Sequence, residues 1–84
     1  MSNVTLDRVV TIVADFVKAR GKKAGAIQAD SRLLSDGFVD SFSLVELIAA
    51  LESTLGVTLA DGTLIPEDFE TPRVLHGRLE EVLS

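Results

Sequence analysis

Apolar residues recur with a helical period in three stretches of the chain. In the first, Leu6, Val9, Val10, Val13, Phe16 and Val17 fall mostly three or four apart, which places them on one face of a helix. Asn3 or Thr5 can cap its start, and Asp7 suits the positive end of the helix dipole. Lys18 and Arg20 suit the negative end, and Gly21 can close the helix. The valines favour a strand weakly, but the period is 3.6 rather than 2, so a helix is predicted. The second stretch runs from Ser41 to Leu55, with Leu44, Leu47, Ile48, Leu51 and Leu55 on one stripe. Asp40 stands at its N-cap position, and Gly56 is placed to end it in the left-handed conformation. Thr71-Pro72 announces the third, a cap followed by proline at the first helical position. Its stripe is Leu75, Leu79, Val82 and Leu83.

The connections carry apolar residues of their own. Ile65-Pro66-Glu67-Asp68-Phe69 has room for a single helical turn, with Phe69 as its anchor. Residues 21–40 are long for a connection in a compact domain. They hold Ile27, Leu33, Leu34, Phe38 and Val39, which cannot all stay in water. The expectation is a loop pinned across the bundle by these side chains, with a short turn at Ser31–Leu34. The predicted fold is all-α: a small bundle of three main helices, one short helix and a long loop between the first two main helices. No repeat or low-complexity tract interrupts it, and residues 1–84 read as one domain.

Composition narrows the chemistry. With no cysteine and one histidine, neither a disulfide framework nor a thiolate metal site is available, and no metal site is expected. The start, MSNVTLDRVV, lacks the basic and apolar segments of a signal peptide, so a cytoplasmic, soluble domain is expected, and separately a monomer. No apolar run is long enough to span a bilayer. Charge is unevenly spread: residues 1–29 hold five basic and two acidic side chains, residues 30–84 three basic and eleven acidic. An acidic face repels phosphate backbones, which argues against nucleic acid. It steers instead toward basic protein surfaces.

The segment DGFVDSFSLVE, residues 36–46, places Ser41 at the mouth of the second helix, between an acid and a phenylalanine. As a nucleophile Ser41 would need a positioned base. The one histidine, His76, lies in the last helix with no aspartate spaced to relay its proton. Adjacent Glu67 and Asp68 point to different sides and are explained by solvation. A calcium loop fails too: with Gly37 at the sixth position, Arg32, Leu34 and Ser43 fall where oxygen ligands are required. Serine is in any case welcome in a first helical turn. Yet Asp40 can already do the capping, and Phe42, Val45 and Ala49 form a second, narrower apolar strip bordered by Glu46 and Glu52. A helix with a core stripe and an acid-bordered strip packs inward and also meets a partner.

The run DGFVDSFSLVELIAALESTLGV, residues 36–57, resembles the core of acyl carrier proteins, where Asp-Ser-hydrophobic opens the second helix and L-x-x-x-L-E lies near its end. The early amphipathic helix, the apolar-studded loop, the IPEDF turn and the T-P-x-x-L final helix follow in family order. The likeness thus covers nearly the whole chain. It implies that the protein is no enzyme but a carrier, with 4′-phosphopantetheine joined to Ser41 as a phosphodiester by a phosphopantetheinyl transferase using coenzyme A. The arm would hold an acyl or aminoacyl group as a thioester. Asp40 would assist loading, and Ser41, being a substrate, needs no base of its own. The phosphodiester would sit at the positive end of the helix, where unpaired N–H groups favour an anion. By the same likeness Asp36, Asp40, Phe42, Glu46, Ala49 and Glu52 would face basic, partly apolar patches on partner enzymes. Those partners would be the transferase, an acyl- or aminoacyl-activating ligase, and a downstream acyltransferase or synthase.

The motif departs from the D-x-L-G-x-D-S-L form of fatty-acid carriers and from the G-G-x-S form of peptidyl carriers. It is closer to discrete carriers of D-alanyl, other aminoacyl or small hydroxyacyl groups. The ADGTL stretch, residues 60–64, lengthens the link before the short helix. The competing reading is a helical interaction module of the same fold with no prosthetic group. Ser41 in register discriminates between the two, because an adaptor has no use for it.

Overall fold

The computed structural model describes residues 4–21, 27–60 and 62–83, and the regular structure among them is helical, with no strand. Three α-helices form: α1 (Leu6–Ala19), α2 (Ser41–Leu55) and α3 (Pro72–Leu83). Pro66–Phe69 makes one turn of 3₁₀ helix. α1 packs against both other helices, and the 3₁₀ turn packs on α3. No helix among the described residues is long and apolar enough to cross a membrane.

Local chemistry sets each boundary. Thr5 caps α1, its hydroxyl accepting the Arg8 N–H at 3.2 Å; the alternative cap, Asn3, lies outside the described residues. Gly56 ends α2 in the left-handed region, φ 68° and ψ 36°, where a side chain would be strained. Thr71 caps α3 by accepting the Val74 N–H at 3.1 Å, and Pro72 follows it, buried. In the 3₁₀ turn Asp68 reaches back to the Ile65 N–H at 3.0 Å. Phe69 is buried beneath it.

The core joins Val9, Ile12, Val13 and Val17 of α1 to Leu44, Leu47 and Leu51 of α2 and Leu75 and Leu79 of α3. Ile12 belongs to it although the predicted stripe passed it over, because α1 serves two neighbours and buries a wider arc. Leu6, Val10 and Phe16 lie at that arc's margins, half-buried. The long loop also contributes: Ile27, Leu33 and Val39 are buried, and Leu34 and Phe38 pack against the cluster.

Backbone bonds fasten the loop across the bundle. Leu33 donates to the Glu70 carbonyl at 2.9 Å, and Arg73 donates to the Ala29 carbonyl at 2.9 Å. The Arg73 side chain adds a two-pronged ion pair with Asp30, at 2.8 and 3.3 Å. The loop's turn differs from the expected Ser31–Leu34. Ser31 folds back instead, accepting the Gln28 N–H at 2.7 Å. The helical turn comes later, with Asp36 donating to the Arg32 carbonyl at 2.9 Å and Gly37 to Leu34 at 3.2 Å. It opens at the Arg32 carbonyl, and the Leu33 carbonyl accepts the Val39 N–H at 3.0 Å, closing the loop just before the second helix.

Candidate functional site

The loop delivers Val39 to the core and then Asp40 and Ser41 to the surface, so the mouth of α2 is fixed from below. Asp40 caps it with one oxygen. Its Oδ1 accepts the Phe42 N–H at 3.0 Å, the Ser43 N–H at 2.8 Å and the Ser43 hydroxyl at 2.9 Å. These bonds, those from Ser43 first, hold the Asp40 carboxyl below its ordinary range, and the charge of Arg20 adds to the effect.

The two serines of DSFS are thereby separated. Ser43 is buried and its hydroxyl is committed to the cap. Ser41, the first helical residue, is exposed, and the cap does not use its side chain. A hydroxyl at that place can be esterified without disturbing the helix. One expectation changes. The N–H groups of Phe42 and Ser43 are already taken by Asp40, so a phosphodiester on Ser41 would feel the helix dipole but not those two donors. The group therefore fits as a tethered, solvated substituent and not as a ligand in an anion nest.

Beyond Ser41 the outer face of α2 is apolar. Phe42 is 87% exposed and Val45 71%, and Ala49 is exposed beside them. Asp36 is exposed on the loop turn that precedes the helix. The two bordering glutamates are occupied within the chain. Glu46 pairs with Arg20, the C-cap residue of α1, at 2.6 Å. Glu52, half-buried, accepts the Leu59 N–H at 2.7 Å and so braces the segment after α2. On that side Val45, Ile48, Ala49, Leu59 and Leu64 line an open apolar cleft of about 350 Å³. His76 is drawn elsewhere, with Nε2 3.2 Å from the Val4 carbonyl oxygen and 3.0 Å from Glu80.

Two residues escape a reading by pattern. Ser43 stands three places after the cap, a position from which its backbone and side chain can both bond Asp40, and that spacing was the available signal. Arg20 lies 26 residues from Glu46, at the end of another helix, so nothing along the chain announces their pairing.

Residues 7–79 match the family described as phosphopantetheine attachment site. The chain belongs to that family. Its relatives agree. It is 37% identical over 79 residues to acyl carrier protein 2 of Pseudomonas aeruginosa, covering 93% of this chain and 98% of the relative. It is 30% identical over 53 residues to the D-alanyl carrier protein of Bacillus velezensis, 63% of this chain and 68% of that one. An acyl carrier protein of Rickettsia bellii is 39% identical over 54 residues, 64% and 59% of the two chains. No solved structure matches. As a member of the phosphopantetheine-attachment family, the protein is a carrier and not a catalyst, and it bears 4′-phosphopantetheine covalently.

Proposed function

We propose that Ser41 is the attachment point of the arm, and that the chain carries an acyl or aminoacyl group on it as a thioester between biosynthetic enzymes. The observation that carries this reading is the contrast between the two serines at the mouth of α2. Only Ser41 offers an exposed hydroxyl in the Asp-Ser-hydrophobic register, while Ser43 is spent on the cap. Asp40 stays ionised over the working pH range, as a residue assisting a magnesium-dependent transferase must. Residues 1–84 act as one cytoplasmic carrier domain, monomeric, with the Pro66–Phe69 turn as the short helix of a four-helix carrier bundle.

The docking face is the outer side of α2 with its approach, formed by Asp36, Asp40, Phe42, Glu46, Ala49 and Glu52. A fully exposed phenylalanine costs solubility, and a partner that covers it recovers that apolar area. The cargo belongs to the small acyl or aminoacyl class. The motif favours this, as does likeness to a protein named for D-alanyl carriage. The cleft beside Val45 is open rather than a deep tunnel, which also suits a short group.

The test is intact mass after incubation with coenzyme A, magnesium and a phosphopantetheinyl transferase of broad specificity. One arm's mass should be added to the parent chain and none to Ser41→Ala. Uptake by Ser41→Ala would move the site elsewhere; no uptake by a folded parent would favour the unmodified interaction module.

A further inference from the structure

Ion pairs on a protein surface usually have no consequence beyond themselves. The Arg20–Glu46 pair is placed differently. It ties the C-terminal end of α1 to α2, and its acid borders the apolar strip of Phe42, Val45 and Ala49. The guanidinium lies 5.5 Å from the centroid of the Phe16 ring, a shelf that restrains it. Glu46 remains 65% exposed and Arg20 36%, so both stay within reach of an approaching surface.

The strip's two acidic borders are therefore unequal. Glu52 is bound to a part-buried backbone N–H, and releasing it would unbrace Leu59. Glu46 is held by a side chain in water, and an exposed ion pair of that kind is weak. It can be exchanged. While Arg20 holds it, its charge is cancelled locally and contributes little to steering a basic partner.

We infer that Arg20 masks Glu46 on the outer face of α2, so that this face selects a partner whose own arginine or lysine takes Arg20's place on Glu46 while an apolar socket receives Phe42 and Val45. The inference rests on the reading of α2 as the docking face. The exchange is favourable at an interface because a partner cation meets Glu46 beside apolar surface that excludes water, where a charge-assisted bond is stronger than in solvent. Arg20, turned out to water, keeps its shelf on Phe16. Approach thus depends first on apolar contact and only then on the acid, and a basic surface without a socket gains little here.

Loading kinetics can separate masking from simple net charge. The rate constant kcat/KM for arm transfer from coenzyme A by a phosphopantetheinyl transferase is measured at low salt for the parent, Arg20→Gln, Glu46→Gln and the double variant. Lys18→Gln, from the same end of α1, is the control for charge alone, and melting curves check that every variant folds. Arg20→Gln should raise the rate constant about threefold, with the gain fading as salt screens it. Glu46→Gln should slow the Arg20→Gln chain several times more than it slows the parent or the Lys18→Gln chain. Equal slowing in all three backgrounds overturns the masking, since charge then acts additively. So does a loss of rate on Arg20→Gln, which would make Arg20 itself a partner contact. If neither Glu46→Gln in any background nor Phe42→Ala affects loading, the docking-face reading fails instead.

Discussion

The two sides of α2 use nearly the same residues for opposite ends. Inward, Leu44, Leu47 and Leu51 are buried, Leu47 and Leu51 completely, against α1 and the rest of the core. Outward, Phe42 and Val45 are apolar and almost wholly in water. Burying a side chain of this size contributes about 1.5–3 kcal/mol, so the inner row stabilises the fold and the outer row contributes almost nothing to it. Residue type alone cannot say which row is which. The difference lies in where α1 sits: the same residue types hold the fold together on one face and add little to it on the other.

The largest effect should come from breaking the inner row. Leu47→Ala opens a cavity beneath the middle of the helix and should cost about 3 kcal/mol in denaturant melts. A loss below about 1 kcal/mol would mean that the site collapses readily or that Leu47 is not central. Phe42→Ala on the outer row should leave stability within about 0.5 kcal/mol of the parent. It should nevertheless lower kcat/KM for loading roughly tenfold, the effect of removing an aromatic anchor from an interface. Unchanged loading would leave the exposed ring without a role.

A smaller effect sharpens the comparison at the mouth, where the rows meet. Asp40 has a folded-state carboxyl held below its ordinary range. The cap's ionic contribution is therefore fully present above the unfolded aspartate range and disappears as pH falls through the lowered folded value. Asp40→Asn keeps an oxygen acceptor for Phe42 and Ser43 but removes the titration. Its stability should vary less with pH on the acid side than the parent's, with α2 intact by circular dichroism. Parallel acid limbs for the two proteins would show that the cap's charge plays no part.

Much of this was legible along the chain. The helix ends were readable because caps are local: Thr5, Asp40, Gly56 and Thr71 each act on residues within a few positions. The inner row of α2 followed from spacing, and the pinned loop from apolar side chains that could not remain wet. What could not be read involved contacts between distant segments. Ser31 looked available to start a turn, but it bonds back to Gln28, and the helical turn opens at the Arg32 carbonyl. Glu46 and Glu52 look alike in the sequence, two acids beside one strip, yet one meets the arginine that ends α1 and the other a backbone amide after α2. Ser41 was singled out by its motif, and the burial of Ser43 two residues later supplies the physical contrast that the motif lacks.

That contrast can be put to a single measurement. The parent chain is loaded with the arm, digested, and the modified peptide is fragmented to locate the added mass between Asp40 and Leu44. All of it is expected on Ser41, with Ser43 unmodified and its hydroxyl still on Asp40. Arm mass found on Ser43 would contradict it, since that outcome requires the cap of α2 to come apart before the chain can be loaded.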